Sequence, residues 1–131
     1  TTTYEYAADG KLLKQTDARG VVATNTYDNL GRLVSTTICD SKISYTYGNS
    51  GYGNCRLVEI SCNGNVESYT YDKDGRVLTK IRTVRGEKPL EYNYSYLKNG
   101  ALDKVVYPGG GEISYIYDDN GYLVSKKYGL L

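Results

Sequence analysis

The sequence predicts an all-β protein: an antiparallel meander of about twelve short strands, made from six β-hairpin repeats and forming an open, twisted sheet. The first observation is a recurring frame of tyrosine, short polar loop, glycine and aliphatic residue. Frames begin at Tyr6, Tyr27, Tyr47, Tyr71, Tyr96 and Tyr117, and five place glycine four residues on, at Gly10, Gly31, Gly75, Gly100 and Gly121. With 15 glycines among 131 residues, chance would supply less than one at that offset across six frames. The second observation is another tyrosine two residues earlier in five frames, at Tyr4, Tyr45, Tyr69, Tyr94 and Tyr115. Residues two apart share a face of a strand. The third is turn chemistry at the far end of the return strands, with no helical periodicity of useful length anywhere.

The repeats justify themselves in order. Residues 1–21 carry Tyr4 and Tyr6, turn before Gly10, return from Leu12 and turn again at Ala18-Arg19-Gly20. Residues 22–42 turn between Asp28 and Gly31, return from Leu33 and end at Asp40-Ser41. Residues 43–66 depart from the rule. Their loop, Gly48 to Arg56, is four residues longer before Leu57, and the unit closes on Asn63-Gly64, a strong hairpin signal. Residues 67–89 show the unit plainly: Tyr69 and Tyr71 on one strand face, Ser68 and Thr70 on the other, then Asp72 to Gly75 as a turn. Asp bonds its own backbone in such turns, and Gly supplies positive φ. Val77 to Ile81 returns, and Arg85-Gly86 turns. Residues 90–111 place Tyr92, Tyr94 and Tyr96 on one face, return from Leu102 and end at Pro108-Gly109-Gly110-Gly111. Residues 112–131 bring Tyr115 and Tyr117, a turn from Asp118 to Gly121, and Leu123.

Composition narrows the function. Net charge is +1, from 16 basic and 15 acidic residues, so there is no basic stripe and nucleic acid is not an expected partner. No apolar run is long enough to insert in a membrane, and no signal peptide is read at the N-terminus. The chain starts inside a repeat without methionine and reads as a piece of a longer protein. Tyrosine supplies 16 of the apolar residues while Phe, Trp and Met are absent, which suits half-buried sheet surface, because each hydroxyl needs water or a partner.

Candidate chemistry is sparse. Without histidine, the Ser-His and Cys-His nucleophile arrangements are unavailable, and no catalytic residue, cofactor or metal site is expected. The acidic pairs Asp72 and Asp74, and Asp118 and Asp119, fall at turns and lack the spaced ligands of a calcium loop. Cys39, Cys55 and Cys62 match no zinc spacing and are expected to be small, half-buried residues. Cys39 and Cys62 would end strands two apart, about 9.6 Å, too far for a disulfide. Arg32, Arg56 and Arg76, with Lys11 at the same offset, are expected to stack on tyrosine rings or pair with the turn Asp. Tyr52, in the long loop, is the one candidate ligand contact.

The motif Tyr-x-Tyr-Asp-x-x-Gly-Arg-Leu resembles the tyrosine–aspartate (YD) repeat of the Rhs family, shared with wall-associated proteins, insecticidal toxin complexes and teneurins. Its closest copies are Tyr27-Asp28-Asn29-Leu30-Gly31-Arg32-Leu33 and Tyr71-Asp72-Lys73-Asp74-Gly75-Arg76-Val77. The resemblance implies a large secreted or cell-surface parent, in which a ribbon of hairpins spirals into a hollow shell. This chain would then be a shell fragment whose partner is the rest of that parent. The Asp-Pro dipeptide associated with self-cleavage in such toxins does not occur, since Pro89 follows Lys88 and Pro108 follows Tyr107. Two functions follow: a non-catalytic encapsulating or surface scaffold, or a glycan-binding adhesion module that stacks sugars on tyrosine rows. Self-association through the tyrosine face or the sheet edges is a further expectation.

Overall fold

The computed structural model describes residues 1–130. Twelve strands form one antiparallel sheet in which sequence order is spatial order, β1 to β12, and the first and last strands do not meet. The strands are β1 (Thr3–Tyr6), β2 (Leu12–Thr16), β3 (Val22–Tyr27), β4 (Leu33–Ile38), β5 (Ser41–Tyr47) and β6 (Leu57–Cys62), followed by β7 (Asn65–Tyr71), β8 (Val77–Thr83), β9 (Leu90–Tyr96), β10 (Leu102–Val106), β11 (Glu112–Tyr117) and β12 (Leu123–Gly129). The predicted open meander is thus observed. The long loop of the third hairpin adds a single 3-10 turn, Gly51–Gly53.

The sheet is one layer thick. Among the described residues only Val105 and Ser35 are buried, at 4% and 5% exposure. Accessible surface is 9143 Å², where a compact monomer of this mass would show about 6,900 Å². Its two faces differ in chemistry, because directly opposed residues share a face. One face carries the tyrosines with their aliphatic partners: Val105 stands between Tyr94 and Ile113. The other carries hydroxyls. Ser35 lies opposite Thr26 and Ser44, and its hydroxyl is 2.7 Å from that of Thr26.

Every hairpin carries a β-bulge at the start of its return strand. Each frame tyrosine is paired with the first aliphatic residue of the return strand, and the next residue is left over as a β-bulge. Tyr6 pairs Leu12, leaving Leu13; Tyr27 pairs Leu33, leaving Val34; Tyr47 pairs Leu57, leaving Val58. Tyr71, Tyr96 and Tyr117 repeat this with Val77, Leu102 and Leu123, leaving Leu78, Asp103 and Val124. A bulge places two residues against one and raises the local twist. Six bulges on the same side of the hairpin turns therefore coil the ribbon in one sense.

The cysteines differ from expectation. Cys39 and Cys55 are exposed, and only Cys62 is half-buried; all three are free thiols. Cys39 lies one residue past β4, in the tight turn between Ile38 and Ser41, with φ 53°. A turn that short projects its residues into solvent.

Candidate functional site: the seams between repeats

Five seams join the six hairpins, and all five share one register. The outermost backbone pairs are Lys14 with Thr24, Ser35 with Ser44, Glu59 with Ser68, Thr79 with Asn93, and Lys104 with Ser114. In each, one residue lies two beyond the leading aliphatic residue and the other three before the frame tyrosine. Past that point the strands part, and backbone pairing stops. The carbonyl of the leading aliphatic residue would then lack a strand partner, which is costly away from water.

The frame tyrosine of the following repeat fills this role. Tyr27 donates its hydroxyl to the Leu12 carbonyl at 2.8 Å, Tyr47 to Leu33 at 2.9 Å, Tyr96 to Val77 at 2.7 Å and Tyr117 to Leu102 at 2.6 Å. Tyr71 donates to Leu57 in the same way. A phenol is long enough to cross the opening between diverging strands, and its ring covers the apolar surface there. Phenylalanine would leave the carbonyl open, which accounts for tyrosine at these five frame positions.

At three of the five seams an arginine ties the junction from the other side. Arg32 lies 4.4 Å from the Tyr47 ring centre, Arg56 5.9 Å from Tyr71, and Arg76 4.8 Å from Tyr96. Arg32 and Arg76 also donate to the turn carboxylates Asp28 and Asp72 of their own repeats, each at 2.7 Å. Stacking and pairing, weighed as alternatives from sequence, occur together. In the third repeat Gly48 stands where Asp28 and Asp72 stand, and Arg56 instead donates to the Tyr52 carbonyl at 2.7 Å.

The turn glycines serve the same seam. Gly75 has φ +83°, and a Cβ there would meet the Arg56 guanidinium at 2.5 Å. A Cβ at Gly31 would lie 2.9 Å from the Lys11 side chain. The glycine both allows the turn and lets the preceding repeat's cation lie across it.

Electrostatics follow from these contacts. The Asp28 carboxyl is held below its usual range, chiefly by the Arg32 backbone N–H and, against partial desolvation, by the Arg32 side chain and the Leu30 N–H. At Asp72 desolvation opposes the shift, but the Arg76 N–H and guanidinium prevail and its pKa is also lowered. The Tyr96 hydroxyl is pushed up by burial and by the Asp72 charge. Tyr69 rises to about 12, through burial and its bond to Glu67.

The remaining singled-out residues separate clearly. Tyr45, Tyr69, Tyr94 and Tyr115 are half-buried on the tyrosine face. Tyr4 and Tyr6 line the β1 edge with ring centres 6.4 Å apart, 51% and 60% exposed. Tyr52 is 61% exposed at the loop tip and joins no cluster with the seam rings. Among the described residues no group of three or more His, Cys, Asp or Glu is placed to hold a metal, and no helix is long and apolar enough to cross a membrane.

The RHS Repeat family model matches residues 6–38, from the end of β1 through the whole second hairpin, which supports the YD-repeat resemblance. No curated protein sequence matches the chain. Among solved structures, that of TcdB2-TccC3-TEV superposes on 95% of the chain with a TM-score of 0.80 at 22% identity. That of TcdB2-TccC3 without its hypervariable C-terminal region covers 98% with a TM-score of 0.60 at 18% identity. The chain spans 7% and 9% of those two chains, and the likeness is one of fold.

Proposed function

We propose that this chain, with its RHS repeat over residues 6–38, is a non-catalytic wall segment of an encapsulating shell or surface scaffold in an exported Rhs-type protein. The observation that carries the reading is the invariance of the seam. All five junctions use the same register, and each tyrosine hydroxyl meets the same carbonyl position. A binding protein concentrates unusual residues at one place, whereas this chain repeats the same tyrosine-to-carbonyl bond at every junction. Its partner is then the rest of a longer ribbon, and its setting the cell surface or the exterior. The six repeats, 1–21, 22–42, 43–66, 67–89, 90–111 and 112–131, are the building units.

The glycan-binding alternative needs free aromatic faces. Frame tyrosines from Tyr27 to Tyr117 have their hydroxyls bound to backbone, and cations cover three of the rings. That leaves Tyr52, Tyr107, Tyr122, the half-buried second tyrosines and the sheet edges for any sugar. A glycan array, with the Tyr52→Ala variant alongside, separates the readings. The scaffold reading expects no saturable binding; binding that Tyr52→Ala abolishes would replace it with the adhesion reading.

A further inference from the structure

We propose that Asn63-Gly64 is a site of spontaneous covalent change, at which Asn63 loses its side-chain amide through a succinimide and the third seam loosens with age. The proposal is independent of the scaffold reading. Three asparagines precede glycine, at Asn63, Asn99 and Asn120, and every other asparagine precedes a residue with a side chain. Glycine, with no Cβ, leaves its own amide nitrogen unobstructed. That nitrogen is the attacking group: it gives its proton to solvent and bonds to the asparagine Cγ. The Cγ–Nδ2 bond breaks, and the departing nitrogen takes a proton from solvent and leaves as ammonia. Water then opens the five-membered ring at either carbonyl, giving aspartate or isoaspartate. No oxidant, reductant or enzyme is needed.

The structure separates the three pairs. The Gly100 N–H donates to the Leu97 carbonyl at 2.9 Å, and the Gly121 N–H to the Asp118 carbonyl at 3.0 Å. Deprotonating either nitrogen would cost that hydrogen bond. The Asn99 carboxamide is held as well, accepting from the Ala101 N–H at 3.0 Å. Asn63 and Gly64 are instead the two central residues of the turn between Cys62 and Asn65, with φ 52° and 87°. In a two-residue hairpin of this kind the flanking residues close the turn, and the Gly64 N–H meets no acceptor among the described residues. Both residues are exposed. The Asn63 Nδ2 donates to the Ser41 hydroxyl at 3.3 Å, while its Oδ1 accepts no hydrogen bond among the described residues. The consequence falls on a seam. Isoaspartate carries the main chain through the β-carbon, adding a methylene to a turn whose length sets the register of β6 against β7. It also places a carboxylate where the amide met Ser41.

Ageing the folded chain at mildly alkaline pH tests this, read by mass-spectrometric peptide mapping that resolves aspartate from isoaspartate. Asn63 should convert about two- to tenfold faster than Asn99 and Asn120, the rate equivalent of the net hydrogen bond that those glycine amides would lose. In urea, where the turns are gone and all three share the same Asn-Gly chemistry, the rates should converge. The isoaspartyl form, separated by ion exchange, should show faster hydrogen exchange at the third seam, where Ser61 pairs with Val66 and Glu59 with Ser68. Exchange between β11 and β12 should be unchanged. In the folded chain, conversion of Asn99 or Asn120 at the rate of Asn63 would overturn the proposal, as would an Asn63 that converts only in urea. A lead for Asn63 that persists in urea would assign it to local sequence and overturn it too. So would an isoaspartyl form whose third seam exchanges like that of the parent. Asn63→Gln, whose attack would need a larger ring, should remove the leading product; its persistence in that variant would place the reaction elsewhere and contradict the assignment.

Discussion

The hydroxyl of Tyr47 donates to the backbone carbonyl of Leu33 across 2.9 Å, from one hairpin to the hairpin before it. The Arg32 guanidinium, one residue before Leu33, lies over the same ring. One side chain thus satisfies a carbonyl, covers apolar surface and accepts a cation. Its energetics can be divided experimentally.

Tyr47→Phe should cost about 0.5–1.5 kcal/mol, the net worth of one hydrogen bond. Tyr47→Ala should cost about 2–3 kcal/mol, below the usual range for core aromatic deletions because the ring is only half-buried. Tyr52→Ala should cost about 0.5 kcal/mol or less. Urea unfolding of the three variants checks the order; equal losses at Tyr47 and Tyr52 would place the seam elsewhere.

Arg76→Ala should cost about 0.5–1 kcal/mol from lost stacking on Tyr96 alone. Arg76→Lys should recover only part of this, since an ammonium cannot stack on Tyr96 and fork to Asp72 and Asp74 as the guanidinium does. Full recovery in the Lys variant would show that charge alone matters.

Gly75→Ala and Gly86→Ala impose the same backbone strain, at φ +83° and +82°, but only at Gly75 would the methyl meet Arg56. Each should lose about 1–2 kcal/mol from the left-handed conformation, with a larger loss at Gly75. Adding Arg56→Ala should relieve the surplus at Gly75 and leave Gly86→Ala unchanged. A double-mutant cycle reads this coupling.

Stability should fall at both pH extremes. The carboxyls of Asp28 and Asp72 are depressed in the folded state. Their stabilisation is complete above the unfolded value, about 3.9, and is lost as pH falls through the folded value. Tyr69, raised to about 12, works in the opposite sense. Its contribution is complete below the ordinary tyrosine pKa near 10 and disappears as pH rises through the folded value. Urea midpoints should be flat between about pH 5 and 9. Asp28→Asn should soften the acid limb, and Tyr69→Phe the alkaline limb.

The sequence made the hairpins legible because turn residues and alternation are local signals. Asp72 to Gly75 and Asn63-Gly64 are turns, and Tyr69 and Tyr71 share a face, as their spacing required. The bulges were not legible. Leu33-Val34 and Leu57-Val58 read as ordinary strand starts, and only cross-strand register reveals that the second residue has no partner. The seam was half legible: Arg32 and Arg76 were matched to rings and carboxylates, but the tyrosine's acceptor is a carbonyl some 14 to 19 residues earlier, a distance over which no pattern in side chains speaks. The exposure of Cys39 is not legible in the sequence because it depends on the turn falling one residue earlier than composition suggests.

Small-angle X-ray scattering extrapolated to zero concentration tests the single-layer ribbon most directly. Twelve strands about 4.8 Å apart and about 20 Å tall give a flat radius of gyration near 18 Å, which twist and coiling reduce. A compact globule of this length would give about 14 Å. A value clearly above 14 Å with an elongated distance distribution is the predicted result. A radius of about 14 Å, with the profile of a sphere, would mean that the sheet folds onto itself and would contradict the account.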